Sequence, residues 1–150
     1  MDQTDGTTTS GSATAPGGAP ARADVTTAAD ARAYAESVVR ARWDGGGRGV
    51  REEDVVDLLL VVSELVTNAI RHGGGLAGFD ARTTGEGVWI AVHDNSRVIP
   101  QVVHAFPTRH HGSGYGWPLV ARLARDIAVE LRPGGGKTIS AMVPLRPPAA

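Results

Sequence analysis

Apolar and polar positions alternate along the chain with two distinct periods. Ala31, Tyr34, Ala35, Val38 and Val39 recur at helical spacing, which predicts a helix capped by Thr26 or Thr27 and running to about Trp43. Asp44-Gly45-Gly46-Gly47 ends it. A second helix is expected from Glu52 to about Arg71, with Glu52, Glu53 and Asp54 at its positive end and Gly73-Gly74-Gly75 as its stop. At about 100° per residue, Val55, Leu58, Leu59, Val62, Leu65, Val66 and Ala69 form one broad apolar stripe. Nearly opposite lie Asp57, Glu64 and Asn68, with Leu60 and Val61 on the same side.

The period then changes. Strands are expected over 76–83 and 87–93, separated by Thr84-Gly85-Glu86, with Val88, Ile90 and Val92 at every second position. Residues 95–113 have no clear period and contain Pro100 and Pro107, a length that suggests a functional lid. Pro118 suits the first turn of a third helix, continued by Leu119, Val120, Leu123 and Ala124. Strands over 127–131 and 138–143 flank Gly134-Gly135-Gly136. Helix, helix, hairpin, loop, helix, hairpin makes an α/β two-layer sandwich, with a mixed, mostly antiparallel sheet covered on one face by helices.

Composition narrows this reading. The chain has 150 residues, enough for one domain with a core. Residues 1–23, rich in Thr, Ser, Gly, Ala and Pro, have too little apolar surface to offset ordering entropy and are expected to be a disordered tail. The domain is expected over 24–145, followed by a short Pro-rich tail, 146–150. A formal net charge of −1 and scattered basic residues argue against direct nucleic-acid binding. The most apolar stretch, 55–62, is far shorter than the ~20 residues a bilayer span requires, and the N-terminus lacks the features of a secretory signal. The chain has no cysteine, which excludes disulfides and thiolate chemistry and fits a cytoplasmic location.

Glu64 and Asn68 are four apart and therefore project from the same side of adjacent turns. They could be part of a solvated helix face. Equally, a carboxylate and an amide oxygen are the hard-oxygen groups that suit a magnesium ion and an activated hydroxyl. Asp94 ends an apolar strand, where it could close a turn or accept a hydrogen bond from an exocyclic amine. Gly112, Gly114 and Gly116, with Ser113 among them, precede the third helix, where glycine amides and a helix N-terminus favour phosphate. Gly136-Lys137-Thr138 is not a Walker A motif, and no strand leads into the Gly112 segment as a Rossmann turn would require. His110 and His111 are adjacent, which is poor spacing for zinc. With Arg109 they lie on the lid, where they could contact phosphates or simply face solvent. Trp117 is expected to pack in the core, and His93 and His104 to be ordinary strand and loop residues.

Ser63-Glu64-Leu65-Val66-Thr67-Asn68-Ala69-Ile70-Arg71-His72-Gly73 resembles the N box of the GHKL superfamily, and its Glu-Leu-x-x-Asn-Ala core followed by His-Gly is particularly similar to the anti-sigma-factor serine/threonine kinases. Asp94 matches the G1 position, although Ser96 stands where the family usually has glycine. The segment from Gly112 to Leu119 resembles the G2 box, and Gly136-Lys137-Thr138 the final strand. The resemblance covers about residues 26–145 and implies a Bergerat-type ATP-binding fold. It assigns Glu64 as general base, Asn68 as magnesium ligand, Asp94 as acceptor for the adenine amine and Thr138 as a neighbour of the adenine. Gly112, Ser113, Gly114 and Gly116 become the phosphate loop.

The implied activity is transfer of the ATP γ-phosphoryl, with Mg2+ as cofactor, to Ser or Thr of an anti-anti-sigma (antagonist) protein by a kinase that otherwise sequesters a sigma factor. The resemblance also allows a homodimer. A different class of function is a catalytically inactive module that regulates transcription through protein contacts, with nucleotide as a structural ligand or absent. A detached histidine-kinase catalytic domain fits less well, since no upstream helical pair carries a phosphoacceptor histidine.

Overall fold

The computed structural model describes residues 24–43, 49–99 and 116–146. The expected tail over 1–23, most of the expected lid and the last four residues of the chain lie outside that set. Among the described residues the elements run α1 (Ala28–Trp43), α2 (Glu52–His72), β1 (Leu76–Thr83), β2 (Gly87–Asp94), α3 (Gly116–Leu123), β3 (Arg125–Leu131) and β4 (Lys137–Pro144). None of these helices is long and apolar enough to cross a membrane.

Thr27 is the cap of α1. Its hydroxyl accepts from the Asp30 amide at 3.1 Å, and the Asp30 carboxylate accepts in return from the Thr27 amide at 3.2 Å, the reciprocal arrangement of a capping box. Helix α2 starts without a side-chain cap, from Arg51 in an extended conformation. Three acidic residues in its first turn and Arg71 and His72 in its last complement the helix dipole instead.

The four strands pair in the order β1-β2-β4-β3. Every pairing is antiparallel, so the expected mixed sheet is in fact antiparallel throughout the described residues. Helices α1 and α2 pack against each other and on the sheet, while α3 packs on α2. The stripe read on α2 forms the middle of the core: Val55, Leu58, Val62, Leu65, Val66 and Ala69 are buried, and Leu59 is partly so. They meet Phe79 and Ala81 of β1, Val88, Ile90 and Val92 of β2, and Ile139, Ala141 and Val143 of β4. Trp117 is buried in the same cluster. Arg146 fastens the end of the described chain to the start of α2, its amide donating at 2.8 Å to the buried carboxylate of Asp54.

Candidate functional site

The C-terminal end of α2 and the end of β2 are joined by backbone contacts. The Gly73 amide donates to the carbonyls of Asn68 and Ala69, and the Gly73 carbonyl accepts from the Asn95 amide at 2.8 Å. The side-chain amide of Asn95 reaches the carbonyls of Gly74 and Gly75 at 3.3 and 3.4 Å. The last turn of the N-box helix is thus stitched to the strand end that carries Asp94.

Two glycines make room for that aspartate. A Cβ on Gly73 would lie 2.5 Å from Asp94 Oδ2, and one on Gly136 would lie 2.0 Å from the Asp94 carbonyl oxygen. Gly136 also has φ +76, a left-handed conformation that side chains disfavour. The glycine after His72 therefore has a steric reason: only a residue without a side chain lets α2 end against the carboxylate.

Asp94 is buried and both its oxygens are engaged. Oδ1 accepts from the Ser96 amide at 3.0 Å, and Oδ2 pairs with the Lys137 ammonium at 2.7 Å. Ser96 fits where the family usually has glycine because the backbone there does not need a positive φ; among the described non-glycine residues only Asp126 has one. The serine hydroxyl in turn accepts from the Val98 amide at 3.1 Å, extending the turn after β2.

The register of β2 and β4 fixes the faces of Lys137 and Thr138. Asp94 pairs in register with Lys137, and His93 with Thr138. Side chains directly opposite in an antiparallel pair share a face, and successive residues change face. Lys137 therefore lies on the helix side with Asp94, whereas the Thr138 hydroxyl is on the far face, 2.7 Å from His93 Nδ1. Lys137, one residue before Thr138, is thus the motif residue that shares a face with Asp94, because a one-residue step reverses the face.

Glu64 and Asn68 sit on adjacent turns of α2, both half-buried. Among the described residues no hydrogen bond or ion pair engages the Glu64 carboxylate. Asn68 Nδ2 is buried and has no hydrogen-bond partner among the described residues. Burying an amide donor without a partner is unfavourable by about 1–3 kcal/mol, so a group that completed its hydrogen bonding would stabilise the site. Val61, close to Asn68 in helical angle, is fully buried, while Leu60 is exposed. The face bearing Asn68 is consequently not a plain solvated surface. Next to Glu64, the Ser63 hydroxyl donates to the Leu59 carbonyl and accepts from Arg32 of α1 at 3.1 Å.

Gly116 opens α3, while Gly112, Ser113 and Gly114 lie outside the described residues, as do His104, Arg109, His110 and His111. Among the described residues no three His, Cys, Asp or Glu side chains gather to hold a metal. A magnesium ion carried on nucleotide phosphates needs only one or two protein ligands, and Asn68 fits that smaller requirement through its amide oxygen.

An antiparallel sheet under two long helices, with a buried carboxylate at a strand end against the last turn of one of them, is an α/β two-layer sandwich. Comparison with known families agrees. Residues 53–147 match the family described as histidine kinase-, DNA gyrase B-, and HSP90-like ATPase. The chain belongs to this family, and its ATPase domain is of the GHKL type. Among curated proteins none matches the chain.

Proposed function

We propose that this protein is an ATP-dependent serine/threonine kinase of the anti-sigma type, which phosphorylates an antagonist protein and otherwise holds a sigma factor. The observation that carries the reading is the disposition of α2. Gly73 abuts Asp94, and a rise of about 1.5 Å per residue sets Asn68 and Glu64 roughly 7 and 13 Å back along the helix axis. A nucleotide whose base lies at Asp94 would then extend its phosphates past Asn68 toward Glu64.

In this reading Asp94 accepts from the adenine amine and Asn68 holds Mg2+ through its amide oxygen. A magnesium ion bound there would offset charge on the phosphates. Glu64 takes the proton of the acceptor hydroxyl as its oxygen bonds to the γ-phosphorus, and the bridging oxygen departs with ADP. Phosphoryl transfer requires chiefly positioning and charge stabilisation, so few side chains suffice. A Glu64 carboxylate with no partner among the described residues suits the role of such a base.

The test is incubation of the purified protein with γ-labelled ATP and a candidate antagonist. Label should move to a Ser or Thr of the antagonist, and Glu64→Ala should abolish transfer while ATP binding persists. Tight ATP binding with no transfer, unaltered by Glu64→Ala, would instead identify a regulatory binding module.

A further inference from the structure

Lys137 is the group at this site that the proposed chemistry leaves unused. It is the chain's sole lysine, and its side chain is only 4% exposed, as is that of Asp94. Its ammonium lies 2.7 Å from Asp94 Oδ2 and 3.4 Å from the Ser96 carbonyl oxygen. An ammonium carries three N–H donors, and these two contacts leave one without a described acceptor. A buried cation with an unspent donor is unfavourable unless something completes its shell. The glycines at 73 and 136 bring the backbone close against the side chain and the carbonyl of Asp94, so the charged pair lies where α2, β2 and β4 meet.

A carboxylate and an ammonium side by side present an acceptor next to a donor. The Watson–Crick edge of adenine presents the complement, the N6 amine as donor and ring nitrogen N1 as acceptor. We propose that Lys137 is a base-specificity residue, donating directly to adenine N1 while Asp94 accepts from the N6 amine. This rests on the ATP-binding reading above and adds a second, cationic contact to it. The burial of Lys137 follows from its register opposite Asp94, which a lysine one position along β4 could not share.

The experiment measures affinity by calorimetry for ATP and for its 1-deaza analogue, in which ring nitrogen N1 is replaced by C–H. With the wild-type chain the analogue should bind roughly tenfold to a hundredfold more weakly, the span of a hydrogen bond to a charged donor. In Lys137→Met the same comparison should shrink to about twofold or less. Because that variant leaves Asp94 buried without its partner, the charge-neutral double variant Asp94→Asn/Lys137→Met is compared in parallel, with the same expectation. Equal affinities for the two nucleotides in the wild type would overturn the proposal. So would a penalty for the analogue that persists undiminished in the lysine-free variants, since N1 would then be held by another donor. Failure of the wild type to bind ATP at all would instead sink the nucleotide-binding reading on which the proposal stands.

Discussion

Replacing Lys137 by methionine keeps the length of the side chain and removes its charge, leaving Asp94 buried without a counter-ion. At 2.7 Å separation and an effective dielectric constant near 20, the Coulomb attraction is about 6 kcal/mol. Desolvation of the two ions offsets most of that, at several kcal/mol each. The net stabilisation by the intact pair is accordingly small, but losing one partner alone should destabilise the fold by about 3–5 kcal/mol. Asp94→Asn should likewise destabilise it by leaving the ammonium unpaired. The double variant, with no buried charge, should lie within about 1 kcal/mol of wild type, giving a coupling of roughly 3 kcal/mol or more. Urea unfolding followed by circular dichroism measures this cycle, where a slope near 2 kcal/mol/M turns the single-variant loss into a midpoint shift of about 2 M. The coupling should persist in 0.5 M salt, roughly, because buried charges are poorly screened. Additive single effects, or a loss below about 1 kcal/mol for Lys137→Met, would refute the claim that a closed, desolvated ion pair sits at the strand end.

Gly136→Ala should be strongly destabilising, by about 2 kcal/mol or more, since its Cβ would meet the Asp94 backbone oxygen and its φ is +76. Gly134→Ala, with nothing within 4 Å, should change the melting temperature little, and thermal denaturation of the two compares them directly. Gly73→Ala forces the Asp94 side chain aside and should weaken ATP binding, read by calorimetry, more than it alters the far-ultraviolet circular dichroism. Asp30 is held below its ordinary pKa, first by the Thr26 amide and then by the Thr27 hydroxyl. The contribution of that cap is full above the unfolded value of 3.8 and is lost as pH falls through the lower folded value. Asp30→Asn should therefore flatten the acid limb of a urea-midpoint-against-pH curve below about pH 4 and leave neutral pH less stable. Asp54→Ala removes the acceptor for the Arg146 amide and guanidinium. It should lower stability by about 2 kcal/mol by equilibrium unfolding, the effect of losing the hydrogen bonds that a buried carboxylate accepts.

Much of the architecture was legible because burial follows period. The 3.6-residue stripe of α2 and the alternation in β2 each have one face with a single fate, so helices and strands could be placed within a residue or two. The N box was readable for the same reason, since Glu64 and Asn68 fall away from a well-marked core stripe. The family resemblance points to Thr138 and not to the lysine beside it. The signal was nevertheless present: Ile139, Ala141 and Val143 mark the buried face of β4, and counting back by two reaches Lys137 and not Thr138. A lysine on a core face must have a partner, and Asp94 was the carboxylate at the matching end of β2.

What the chain determined by itself is local: which residues wind into helices, where glycines break them, and which faces are apolar. Those outcomes depend on neighbours within about a turn of helix or a pair of strand positions. The pairing of Asp94 with Lys137 across 43 positions of sequence, and the fit of Gly73 and Gly136 around that carboxylate, were decided only in the folded molecule. Strand register and helix packing set those distances, and a shift of one residue in either would have presented a different side chain to the site.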